Sequence, residues 1–87
     1  MICNLYPKCI PNGFLLLPPS CTALNYGQSI FEGLKARRGI GKNADKVFLF
    51  RLEENAKRMQ NGGKRLMMKP VPTDMFINGV KEVIKAN

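Results

Sequence analysis

The chain is 87 residues long, 45% hydrophobic, and carries 14 basic against 6 acidic residues for a formal charge of +8. That length holds one domain and not two, the apolar fraction excludes a disordered chain, and no apolar run approaches the ~18 residues of a membrane span. The charge by itself suits an acidic partner, nucleic acid or a membrane surface, and a piece of a larger protein whose acids lie elsewhere gives the same imbalance.

Residues 1–13 contain Pro7, Pro11, Asn12 and Gly13 without periodicity and read as an unstructured leader. Cys3, Cys9 and Cys21 fit no zinc or redox spacing, since there is no C-x-x-C and no histidine, and they read as free thiols of a reducing compartment. Phe14-Leu15-Leu16-Leu17 reads as a short strand ended by Pro18-Pro19. The same run is too short and too weakly flanked by positive charge for a secretory signal, so an intracellular site, cytoplasm or organelle matrix, is expected.

The stretch 24–35 places two aromatic rings around a bend. Asn25 and Gly27 flank Tyr26 with turn-forming residues. Ser29 and Glu32 fit a capping box, which predicts a helix start that Gly33 stops almost at once, leaving a single turn. Spacing alone has Tyr26 and Phe31 plug a core. Residues 34–38 alternate apolar and basic side chains and predict a strand with one wet face, while Val47-Phe48-Leu49-Phe50 predicts a strand covered on both faces. Between them, residues 39–46 form a hairpin loop by composition. Gly39-x-Gly41-x-x-Ala44 imitates a dinucleotide fingerprint but lacks the strand-to-helix context and the closing acidic residue, which rejects it.

Residues 52–66 predict a helix with Leu52, Ala56, Met59, Gly63 and Leu66 on one face, acids at its start and Lys64 and Arg65 at its end. Gly62 and Gly63 each weaken it by roughly 1 kcal/mol relative to alanine, which calls for fraying or close packing. Arg51, Arg58 and Arg65 recur every seven positions and, by spacing alone, belong to a solvated face of the same helix. Pro70 and Pro72 interrupt the chain, and Thr73 suits the N-cap of a last helix through Ala86. Its expected buried stripe is Phe76, Val80, Val83 and Ile84, with Lys81, Glu82 and Lys85 in water.

Leu24-Asn25-Tyr26-Gly27-Gln28, Phe31-Glu32-Gly33-Leu34-Lys35 and, further on, Leu49-Phe50-Arg51 with Glu54-Asn55-Ala56-Lys57-Arg58-Met59 together resemble the branched-chain amino acid aminotransferases. These are pyridoxal phosphate enzymes of fold type IV. The resemblance runs from about Leu15 to Asn87 and covers the small N-terminal domain alone. The larger domain, with the lysine that holds the cofactor, has no counterpart. The implied fold is α+β, a small antiparallel sheet with helices packed on one side, and residues 14–87 are then a partial small domain.

The resemblance also implies roles. Arg58 matches the arginine that binds the cofactor phosphate, for which a planar fork of donors is suited. Tyr26 and Phe31 match positions lining the pocket for the branched substrate side chain, where buried methyl groups provide binding energy. Glu32 matches a family glutamate and is assigned here to capping. The chain departs from the family at Arg37, where an aromatic residue is usual, at Leu52, where proline is usual, and at Lys69, near a usual proline. The family passes an amino group from leucine, isoleucine or valine to 2-oxoglutarate and works as a homodimer. Without the cofactor lysine, this chain is expected to be inactive alone.

Two rivals stand beside that reading. A basic binding module for nucleic acid or an acidic protein needs cations clustered with exposed aromatics, whereas the aromatics here fall in expected strands and buried stripes. A different type IV enzyme, such as a D-amino acid aminotransferase or a lyase, is disfavoured by Phe31-Glu32-Gly33 and by the segment 49–59. Neither nucleic acid nor a membrane is an expected partner.

Overall fold

The computed structural model describes residues 10–87. Most of the expected leader, with Cys3 and Cys9, lies outside the described residues. Cys21 is a free, half-buried thiol. The elements are helix α1 (Thr22–Tyr26), strands β1 (Ala36–Arg38) and β2 (Val47–Leu49), and helices α2 (Leu52–Arg65) and α3 (Thr73–Ala86), with a 3-10 turn at Gly41–Asn43. The architecture is α+β.

Residues 14–17 form no strand, contrary to the sequence expectation: Phe14 and Leu16 stand fully exposed. Strand propensity alone does not hold a strand, and the sheet of the described residues pairs only β1 with β2. The first helical turn also sits elsewhere than the capping signal placed it. It falls at Thr22–Tyr26 and ends at Gly27, whose φ of 63° is left-handed. The Asn25 side-chain amide donates back to the carbonyls of Pro19 (2.6 Å) and Cys21 (3.2 Å), which fixes the bend around Tyr26.

β1 and β2 are antiparallel, with Ala36 opposite Leu49, Arg37 opposite Phe48 and Arg38 opposite Val47. The Gly39 amide donates to the Lys46 carbonyl at 2.9 Å and closes the loop. β2 was expected to be covered on both faces, but Val47 and Phe48 are exposed and only Leu49 is half-buried. A ribbon of two three-residue strands has no second layer over its outer face to provide that cover.

α2 begins at Leu52, as the sequence predicts, which leaves Arg51 outside the helix that its spacing to Arg58 and Arg65 placed it on. Arg51 is the N-cap, in left-handed conformation with φ 52° and ψ 46°, so it does not share the helix face of Arg58 and Arg65. Its carbonyl accepts from the amides of Glu54 (3.0 Å) and Asn55 (3.3 Å). Leu52, Ala56 and Gly63 are buried as the periodicity predicts, Met59 is half-buried, and Leu66 is exposed as the C-cap. The helix ends in a Schellman motif. The Met68 amide donates to the Gly63 carbonyl at 2.9 Å and the Met67 amide to Lys64 at 3.2 Å, with Met67 at φ 57° where glycine is usual.

α3 packs on α2. Pro72 holds the N-cap position and Thr73 is the first helical residue, with no side-chain cap, so the expected Thr73 cap is displaced by one residue. Phe76, Val80 and Ile84 are half-buried and Val83 is exposed. The expected stripe is thus real but only partly covered, and with Leu34 and Ala36 it lines an open apolar groove of about 550 Å³.

A strap of residues 27–35, without regular structure, connects these parts. It runs along α2 from that helix's C-terminal end towards its first turns. The Gln28 side-chain amide donates to the Leu66 carbonyl at 2.6 Å, satisfying a group at the helix end. Ile30 then crosses the two glycines: a Cβ on Gly62 would lie 3.4 Å from Ile30 Cγ2, and one on Gly63 3.8 Å from Ile30 Cδ1 and from Pro70 Cα. Ile30 and Pro70 thus pack over the two glycines at distances an alanine Cβ would also tolerate, so the packing does not by itself require glycine there.

Two backbone sites give direct tests by urea denaturation. Met67→Gly should raise stability by up to about 1 kcal/mol, because glycine removes the left-handed penalty while adding some unfolded-state entropy. Gly39→Ala should lower it by about 1–3 kcal/mol, since the added Cβ would run into the Asn43 carbonyl and lie 2.9 Å from Phe48 Cε2.

Candidate functional site

At its far end the strap meets the first two turns of α2 through one carboxylate. Glu32 Oε1 accepts from the Gly33 amide (3.1 Å), from Asn55 Nδ2 (3.0 Å) and from Arg58 Nη2 (2.6 Å), and Oε2 accepts from Arg58 Nε (2.9 Å). Asn55 Nδ2 also donates to the Gly33 carbonyl at 2.9 Å. Glu32 therefore caps nothing. The capping box with Ser29 is not formed, because the carboxylate has a charged fork and an amide to bind across 23 to 26 residues of sequence.

The side chain of Glu32 is 8% exposed and that of Arg58 is 62% exposed. One partner is sheltered under the strap while the other reaches the surface. The bond from Arg58, helped by Asn55, holds the Glu32 carboxyl below its ordinary range. Reciprocally, the Glu32 carboxylate raises the Arg58 pKa. Asn55, 5% exposed, is a buried polar residue on the inner face of α2, beside Leu52 and Ala56. The sequence reading passed over it. The available signal was an asparagine on an apolar stripe, which must find a hydrogen-bond partner.

Arg58 lines an open cleft of about 890 Å³ between the hairpin and the start of α2. Lys35, Arg37 and Arg51 line it as well, with Glu54 the one carboxylate among the lining residues and Leu34, Phe48, Leu49 and Phe50 its apolar walls. Glu54 is paired with Lys57 at 2.9 Å, and that bond lowers its pKa. Lys35 and Arg37, two apart on the strand side, share a face by alternation. A guanidinium has five N–H donors, and Glu32 takes two of those on Arg58. Arg58 lines a basic cleft, and the N–H donors that Glu32 does not take suit an oxyanion such as a phosphate ester.

Tyr26 and Phe31 do not line this cleft. Tyr26 ends α1 and is 86% exposed, and Phe31 lies in the strap and is 96% exposed, so neither plugs a core. The structure thus brings Arg58 together with Glu32, Asn55 and three other cations, and leaves the two aromatic rings on open surface. Among the described residues no group of His, Cys, Asp and Glu could hold a metal ion, and no helix is long and apolar enough to cross a membrane.

No family model matches the chain. It is, however, 50% identical over 76 residues to branched-chain-amino-acid aminotransferase 3, chloroplastic, of Arabidopsis thaliana, a match covering 86% of this chain and 18% of that protein. It is 42% identical over 80 residues to branched-chain-amino-acid aminotransferase 6 of the same plant, covering 92% and 22% respectively. To the branched-chain-amino-acid aminotransferase of Haemophilus influenzae it is 52% identical over 66 residues, covering 76% and 18%. The matched stretch is about a fifth of the length of these curated relatives.

The lowered Glu32 pKa sets the sign of a pH dependence. Its contribution is complete above the unfolded value of about 4.3 and is lost as pH falls through the depressed folded value. The urea midpoint of the chain should therefore fall with acid from pH 6 to pH 3. Glu32→Gln should be less stable at pH 6 and show a shallower acid decline, whereas parallel curves for the two proteins would deny Glu32 this part.

Proposed function

We propose that this chain, which belongs to the branched-chain amino acid aminotransferase family, supplies the phosphate-binding arginine and part of the substrate wall of a pyridoxal phosphate aminotransferase. Arg58 takes the cofactor phosphate. Tyr26 and Phe31 face the branched side chain of leucine, isoleucine or valine, with 2-oxoglutarate as amino acceptor, when the remainder of a family enzyme is packed against this surface. The cofactor, once bound, provides the electron sink for amino transfer. This chain's own part is to hold the phosphate and to shape the pocket. The observation that carries the proposal is the unspent edge of the Arg58 fork on a cleft with Lys35, Arg37 and Arg51.

Exposed apolar side chains support a partner of domain size. Tyr26, Phe31, Phe48 and Phe50 all stand exposed, and a larger domain, and then a homodimer, would bury them. We place this work inside the cell, in the cytoplasm or an organelle matrix.

Exposed Phe48 and Phe50 beside Arg37 and Arg51 also suit a second reading, a platform for single-stranded nucleic acid. The sequence argument against it, that the aromatics are buried, does not hold for these rings. A titration with a labelled oligonucleotide separates the two. Binding abolished by Phe48→Ala and by Phe50→Ala would favour the platform.

The 87-residue chain alone should give no glutamate from leucine, 2-oxoglutarate and pyridoxal phosphate above the cofactor blank. Pyridoxamine phosphate, which has no aldehyde to trap surface lysines, should bind it weakly. Arg58→Ala should abolish that binding and Arg65→Ala should leave it unchanged. Equal binding by both variants would remove the cofactor role of Arg58.

A further inference from the structure

We infer that Glu32 is a positioning residue for Arg58, fixing the plane of its guanidinium so that the unspent edge of the fork is presented to an oxyanion in the cleft. The inference rests on the reading of Arg58 as a phosphate ligand and adds how that ligand is held.

Three features carry it. The contact uses Nε and Nη2 of Arg58, at 2.9 and 2.6 Å, so the carboxylate grips the side edge of the guanidinium. Of the three N–H donors left, one on Nη1 and one on Nη2 point in parallel along the end edge, the geometry of bidentate anion recognition. Glu32 is itself immobilised. Its Oε1 is held by the Gly33 amide and by Asn55, and Asn55 is tied in turn to the Gly33 carbonyl. A long, 62% exposed arginine side chain would otherwise sample many rotamers, and the entropy of fixing it would be charged against every anion it bound.

A carboxylate beside an arginine has two opposite consequences. It neutralises charge, which weakens anion binding, or it pre-orders the fork, which strengthens it. The cleft decides in favour of order, since Lys35, Arg37 and Arg51 keep it basic after Arg58 is neutralised. Glu32 is also nearly covered, so no solvent rearrangement is needed to hold the pair.

Sulfate is the probe, because its charge stays constant above about pH 3 and it reacts with nothing in the chain. With the full chain labelled with 15N at arginine, sulfate should shift the Arg58 Nε–H resonance, and Arg58→Ala should lose the binding. Glu32→Gln should bind sulfate about tenfold more weakly, the worth of one charge-assisted hydrogen bond, and lose the slow exchange of that Nε–H. A folded Glu32→Gln that binds sulfate as tightly as the unaltered chain, or more tightly, overturns the inference and leaves Arg58 as an anion ligand. Unaltered chain and Arg58→Ala that bind alike overturn the phosphate reading and the inference together.

A pH profile gives a second decision. The groups facing Arg58 are Glu32 from the strap and Asn55 and Glu54 from α2, with Lys35, Arg37 and Arg51 around the cleft. Protonating Glu54 removes a negative charge and by itself strengthens sulfate binding, so the profile is taken on Glu54→Gln, where that charge is already gone. A fall in its sulfate affinity on acidification, over the range where far-ultraviolet circular dichroism is constant, supports positioning by Glu32. A rise overturns it.

Discussion

The strap at residues 27–35 is held to helix α2 at three points, and the last of them, the Glu32 carboxylate under Asn55 and Arg58, ties the hairpin side of the molecule to the helical side. Glu32 Oε1 alone accepts three donors, one from its own strap and two from α2. Such a cluster is strong in proportion to how completely it is satisfied, and each member here has its partner. Leu34 and the start of β1 follow directly, so the position of the hairpin relative to α2 depends on where Glu32 is anchored.

That dependence is large because the apolar core is small. Among the described residues only Leu52 and Ala56 are buried hydrophobics, and they sit within a turn of Asn55 on the same face of α2. Ile30 over Gly62 and Gly63 extends this contact towards the other end of the helix. The remaining apolar side chains face the groove along α3, the outer side of the hairpin, or water. A chain arranged in this way keeps its shape through polar anchors and local elements. It offers a broad apolar surface to whatever packs against it.

The same cluster connects stability with the candidate site. Arg58 is at once the outer member of the anchor and a wall of the basic cleft. A substitution there touches both, which is why Arg65, about two turns further along and outside the cluster, is the informative control. Tyr26 and Phe31 are different in kind. They are presented on the surface at either side of the Gly27 bend, and no contact within the described residues fixes a pocket around them.

The sequence by itself determined the elements whose signals are local. Leu52, Ala56 and Gly63 marked the inner face of α2 by their spacing, Pro70 and Pro72 marked the break, and the glycines at 39 and 41 marked the turn of the hairpin, although β1 is shorter than the alternation over 34–38 predicted and is exposed on both faces. These are short-range effects of periodicity and backbone freedom, and they hold whatever the rest of the chain does. The motifs around Tyr26, Phe31 and Arg58 likewise carried the family, which the relatives bear out. Tertiary structure decided the rest. Residues 14–17 had strand propensity but no pairing neighbour among the described residues. Ser29 and Glu32 had the spacing of a capping box, but the charged fork of Arg58, 26 residues away, outcompeted the Ser29 backbone amide for the carboxylate. Asn55 found its partners only once the strap lay across α2, and Arg51 left the helix for a left-handed cap as the chain turned from β2 into α2. Long-range polar contacts have no period in the sequence, so only the folded chain can place them.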